Sequence, residues 1–78
     1  MSPFVLIVER HALERFQLRG ITRQKIRRAI VQGELISFQT NGRKTRRLRF
    51  GTRTLEVVYV DQKLGYAIVT AYWLGEYP

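Results

Sequence analysis

The stretch Arg46-Arg47-Leu48-Arg49-Phe50-Gly51-Thr52-Arg53-Thr54-Leu55-Glu56-Val57 decides the fold. Gly51-Thr52 suits a two-residue hairpin turn with glycine first. Such a turn pairs Phe50 with Arg53, so Leu48 opposes Leu55 and Arg46 opposes Val57. One face then holds Phe50, Leu48, Leu55, Val57 and Tyr59. The other holds Arg49 opposite Thr54 and Arg47 opposite Glu56. A slip of one residue would exchange the faces and bury the arginines, so the register is strongly specified. The apolar face is the expected core. The open face carries Arg47 and Arg49, flanked by Arg43 and Lys44.

Working outward, period-two patterning predicts strands over residues 35–40, 44–50, 53–60 and 66–73. Asn41-Gly42 is the strongest short hairpin signal in the chain. The last strand alternates Tyr66, Ile68, Thr70 and Tyr72 with Ala67, Val69, Ala71 and Trp73. An odd connection before it leaves Thr70 and Tyr72 on the arginine face, and an even one buries them. Valine, alanine and tryptophan make the better core row. Trp73 reads as a core anchor rather than a base-stacking platform.

Upstream, residues 4–8 are β-branched and apolar and read as a strand. Residues 9–18 read as a helix with Ala12, Leu13 and Phe16 on its inner stripe, stopped by Gly20. Thr22 caps a second helix over residues 23–32, with Ile26, Ala29 and Ile30 inward and Arg23, Lys25, Arg27 and Arg28 outward. Helices first and strands later is an α+β order. The expected fold is an N-terminal strand and two helices on one face of a four-stranded antiparallel sheet. If the first segment pairs elsewhere, two helices precede a four-strand meander.

The chain has 78 residues, a length for one domain over residues 1–78. It has 14 Lys+Arg against 6 Asp+Glu, a formal charge of +8. Such an excess points to phosphate-bearing partners, nucleic acid above all. The candidate contacts are Arg43, Lys44, Arg46, Arg47, Arg23 and Arg27. With no Cys and one His, disulfides, thiolate metal sites and His-rich zinc sites are excluded. No metal or other cofactor is expected. The longest apolar run, residues 4–8, is too short to span a bilayer, and no leader-like segment opens the chain. A cytoplasmic protein with no membrane partner is expected.

His11 is the one side chain that titrates near neutrality without perturbation, and Arg15 lies one helical turn after it. A single histidine near a helix start more often packs or solvates than catalyses. No Ser/His/Asp or Cys/His nucleophile set and no phosphate-binding glycine loop is present. RNA cleavage without metal needs a base for the 2′-hydroxyl, an acid for the leaving 5′-oxygen and cations for the phosphate. His11, a tyrosine such as Tyr72 and the arginines are residues of those types.

The runs His11-Ala12-Leu13-Glu14-Arg15, Arg19-Gly20-Ile21-Thr22, Ala29-Ile30 and Gly33-Glu34, with Ile68-Val69-Thr70-Ala71-Tyr72-Trp73 near the end, resemble a family of small bacterial domains of unknown function. That family looks like a branch of the RelE, barnase, colicin and EndoU-type ribonuclease fold. The resemblance spans about residues 4–73. It implies a metal-independent endoribonuclease toxin, often encoded beside an antitoxin. It also implies site residues: His11 from the first helix with Arg15, Arg49 or Arg47 from a middle strand, and Thr70 and Tyr72 from the last strand. Two other readings fit the same charge. One is a non-catalytic RNA- or DNA-binding module. The other is an interaction module for an acidic antitoxin-type partner.

Overall fold

The structure is a computed structural model that describes residues 4–75. Its elements are β1 (Val5–Ile7), α1 (Arg10–Leu18), α2 (Arg23–Gln32), β2 (Glu34–Phe38), β3 (Arg43–Phe50), β4 (Arg53–Gln62) and β5 (Gly65–Trp73). The β3–β4 hairpin has the register its turn dictates: Phe50 pairs with Arg53, Leu48 with Leu55 and Arg46 with Val57. Gly51 sits at φ +65°, and no described non-glycine residue has a positive φ. Glycine alone takes that first turn position without strain.

The sheet is five-stranded and mixed, in the order β1-β5-β4-β3-β2. This corrects the four-stranded antiparallel sheet expected from the sequence. β1 is the additional strand and runs parallel to β5, with Val5 opposite Gly65 and Ile7 opposite Ala67. The two helices carry the chain from that edge to the far one, where β2 pairs with β3. Parallel neighbours need such a long crossover, so no local turn announces them. Gly65 admits β1, because a Cβ there would lie 2.0 Å from the carbonyl oxygen of Val5.

The connection between β4 and β5 is even, since Gln62 pairs with Gly65. Near the turn, Tyr59 therefore meets Ile68. A bulge then inserts Val69, and beyond it Val58 meets Thr70, Val57 meets Ala71 and Glu56 meets Tyr72. An extra residue in one strand shifts its later side chains to the opposite face. So Tyr66 and Ile68 pack toward the core, and beyond the bulge Ala71 and Trp73 do so instead.

Both helices cover one face. Leu6, Phe16, Ile21, Ile26, Ala29 and Ile30 meet Leu55, Val57, Tyr59, Ala71 and Trp73 in a single core. Trp73 is buried and donates its indole N–H to the Arg19 carbonyl at 2.7 Å. α1 is capped by Glu9, whose carboxylate accepts the backbone N–H groups of His11 at 3.1 Å and Ala12 at 3.0 Å. Thr22 Oγ1 caps α2 from the Lys25 N–H at 3.2 Å. Each cap satisfies donors that the first helical turn leaves without partners. No helix among the described residues is long and apolar enough to cross a membrane.

Candidate functional site

The face away from the helices is built by alternation. It presents Arg43, Thr45, Arg47 and Arg49 from β3, and Thr54, Glu56, Val58 and Val60 from β4. Beyond the Val69 bulge, β5 adds Thr70 and Tyr72. Three strands thereby place Arg47, Glu56 and Tyr72 in one row across the sheet.

Glu56 lies at the centre of this row. Its side chain is only 8% exposed, although both helices lie on the other face. Arg47 donates Nε–H to Oε1 at 2.7 Å, and the Tyr72 hydroxyl donates to Oε2. Both carboxylate oxygens thus have a donor, which desolvation demands. Arg47 stays 40% exposed, so its guanidinium still reaches solvent. Arg49 is exposed beside the row and donates Nε–H to the Gly51 carbonyl at 2.8 Å. The ensemble is a carboxylate fixed between an arginine and a phenol, with a second arginine at its rim. It offers a proton acceptor and anion-binding groups within one shallow surface.

Thr70 is half-buried on this same face, next in the β5 alternation to Tyr72. His11 and Arg15 are exposed on α1, which is anchored in the core by Phe16. β1 ends opposite Ala67, so the chain enters α1 at the sheet edge close to the bulge and Thr70. Among the described residues, no hydrogen bond or ion pair joins the His11 side chain to Arg49, Thr70 or Tyr72. The Glu9 carboxyl is held below its ordinary range by the His11 and Ala12 backbone N–H groups, with smaller contributions from the charges of His11 and Arg15.

The remaining cations divide by face. Arg43 is exposed on the open face. Arg46 lies on the helix side, where its Nε–H meets the Tyr59 hydroxyl at 2.7 Å and its Nη1 the Gly33 carbonyl at 3.0 Å. Lys44 also lies on that side, ion-paired with Asp61, a contact that raises its pKa. On α2, Arg27 donates to the Phe4 carbonyl at 2.6 Å and its guanidinium stands 5.0 Å from the Phe4 ring centre. Arg23 is exposed. The basic residues therefore form two groups on opposite faces.

Sequence reasoning paired Arg47 with Glu56 but left Glu56 out of the candidate site. A carboxylate directly opposite Arg47 in the hairpin register is the signal the sequence offers. Its link to Tyr72 depends on the bulge. Among the described residues, no group of three or more His, Cys, Asp or Glu side chains is arranged to hold a metal ion.

Fold and site together define a small α+β domain with helices on one sheet face and a basic, carboxylate-centred opposite face. Residues 8–73 match the family described as Domain of unknown function (DUF4258), and the chain belongs to it. No curated protein and no solved structure matches the chain.

Proposed function

We propose that this domain is a toxin-type endoribonuclease that cuts RNA without a metal on its open sheet face, in the cytoplasm and under the control of an antitoxin. The observation that carries the reading is the Arg47–Glu56–Tyr72 row, a desolvated carboxylate held beside an arginine guanidinium that still reaches solvent. Glu56 accepts the proton of the ribose 2′-hydroxyl as the 2′-oxygen bonds to phosphorus. Arg47 and Arg49 stabilise the charge that develops on the phosphoryl oxygens. The bond from phosphorus to the 5′-oxygen breaks, and that oxygen takes a proton from His11. Tyr72 and Thr70 position the carboxylate and the ribose. The products are a 2′,3′-cyclic phosphate and a free 5′-hydroxyl.

Incubation of the purified protein with RNA in a chelator tests this reading, with Glu56→Gln and His11→Ala alongside. Wild type should release cyclic-phosphate ends, and each variant should fall by about 10²-fold or more while keeping its circular dichroism spectrum. Cleavage unchanged in Glu56→Gln rejects the mechanism. Absence of cleavage by wild type rejects the ribonuclease reading. One observation favours a second reading. Both oxygens of Glu56 are already engaged, which suits a rigid RNA-binding surface that does no chemistry. Salt-sensitive RNA binding without strand scission selects it.

A further inference from the structure

The open face carries two stripes. One is cationic and runs along β3 through Arg43, Arg47 and Arg49. The other is aliphatic and lies on β1, β5 and β4. Ile7, Ala67 and Val60 stand in one row across those three strands, and Arg43 ends the row. Paired residues of a ladder share a face, so the register alone places them together. Val5 stands on the same face beside Gly65, and Val58 lies on β4 between Val60 and Glu56. Val5 and Ile7 are 56% and 52% exposed, whereas Leu6 between them is buried in the core. Both helices lie on the other side.

β5 is the low strand of the aliphatic stripe. Between Val5 and Ile7 on one side and Val60 on the other it offers only Gly65 and the Ala67 methyl. A Cβ at Gly65 would lie 2.0 Å from the Val5 carbonyl oxygen, so no larger residue fills the floor there. The walls, β1 and β4, are two strand spacings or about 10 Å apart. The result is a shallow apolar trough with a cation at the end of its row. Arg43 is exposed, and among the described residues its guanidinium makes no hydrogen bond or ion pair. Charge and shape select the occupant. Single-stranded RNA carries its charge along one side and its flat bases along the other. Laid along β3, it puts phosphates on the arginines and bases across β4 and β5. A second copy of the chain is a poor occupant, because each copy carries +8. A stable protein interface takes about 800 Å² from each partner, far more than a trough two rows long.

We infer that the trough between β1 and β4 is a base-binding subsite. It holds the base of a nucleotide whose phosphate is bound by Arg43, and the base meets the aliphatic side chains through its apolar faces. The inference rests on the RNA reading of the open face proposed above. It adds a contact away from the chemistry, since Arg43 lies four residues, or about 14 Å, along β3 from Arg47. The subsite therefore serves affinity and does not depend on cleavage.

The test uses the full chain and two octamers. One is 2′-fluoro oligouridine, which lacks the 2′-hydroxyl that cleavage needs. The other is abasic throughout and carries the same phosphates. With the uridine octamer, the methyl resonances of Val5, Ile7, Val60 and Ala67 should move under the ring currents of a base. With the abasic octamer they should stay, while the Arg43, Arg47 and Arg49 amides shift with both. The abasic octamer should bind about fivefold to tenfold more weakly. Ala67→Leu raises the floor and Ile7→Thr trims a wall, and each should shrink that difference in protein that keeps its circular dichroism spectrum. Arg43→Ala should weaken both octamers alike and reduce the salt slope by about 0.7. Shifts at Arg47 and Arg49 with unmoved trough methyls overturn the inference and leave RNA binding standing. Equal methyl shifts with both octamers overturn it too, since backbone rather than base then fills the trough. No shifts anywhere overturn it together with the RNA reading. Methyl shifts in a protein that cuts no RNA uphold the trough and reject only the ribonuclease reading. Sedimentation showing a dimer that Ile7→Asp dissolves overturns the inference, because the occupant is then a second copy.

Discussion

Arg46 and Arg47 are neighbours in sequence and belong to opposite faces of one sheet. Arg46 points to the helices, where it holds the hydroxyl of the buried Tyr59 and the carbonyl of Gly33. Arg47 points away from them and holds Glu56 while keeping part of its guanidinium in water. Residue type is identical and the surroundings are not. Cation count alone therefore overstates the surface available to an anionic partner. On β3, Arg43, Arg47 and Arg49 face outward on the open side, while Arg46 and Lys44 serve the other.

The largest expected effect separates the faces through another neighbouring pair, Tyr72 and Trp73. Trp73→Ala removes a buried ring that donates to the Arg19 carbonyl and lies beneath the Lys25 ammonium, and it should cost about 3–5 kcal/mol. Tyr72→Phe removes one of the two donors to the nearly buried Glu56 carboxylate and should cost about 1.5–3 kcal/mol. Urea unfolding of both variants measures the difference. Comparable losses would mean that the open face is a second core rather than a surface for a ligand.

Next comes the arginine pair itself. Arg46→Met leaves the Tyr59 hydroxyl without its partner and should lose about 1–3 kcal/mol of stability, with RNA affinity unchanged. Arg47→Met should weaken RNA binding and reduce its salt slope by about 0.7 for a single strand, and it should also lose stability, because the nearly buried Glu56 carboxylate is left with Tyr72 alone. The affinity arm rests on the proposed RNA-binding face. If Arg46→Met weakens RNA binding as much as Arg47→Met in folded protein, the division between the faces is not a division of labour.

The same faces explain which features were legible in the sequence. Gly51-Thr52 is a local signal, and from it alternation alone carries Leu48, Leu55, Val57 and Tyr59 to the core and Arg47, Arg49 and Glu56 to the other side. Thr22 and the Ile26, Ala29, Ile30 stripe mark α2 in the same local way. Two features had no such signal. β1 finds its partner far along the chain, and nothing near Val5 encodes a meeting with Gly65. The face of Tyr72 turns on a bulge at Val69, and valine is an ordinary strand residue. Without that bulge the even turn at Gln62 and Gly65 would send Tyr72 into the core. Glu56 would then have only Arg47.

The smallest effect concerns a charge outside both faces, at the start of α1. Glu9 is exposed, and its carboxyl is held below its ordinary value of 4.5 chiefly by the backbone N–H groups of His11 and Ala12. Because the folded value is the lower one, the carboxylate stabilises the fold above the unfolded value. That contribution disappears as pH falls through the folded value. Glu9→Gln should therefore melt below wild type at neutral pH, and the gap should close as pH drops below 4.5. Lys44 is raised above its ordinary 10.5 by Asp61, so its share is present at neutral pH and lost only as pH climbs past that value. Melting temperatures of wild type and Glu9→Gln across the acid range isolate the cap, since Lys44 stays charged throughout. A gap that widens in acid would mean that Glu9 repels its surroundings rather than capping α1, and the start of the helix that carries His11 would need another account.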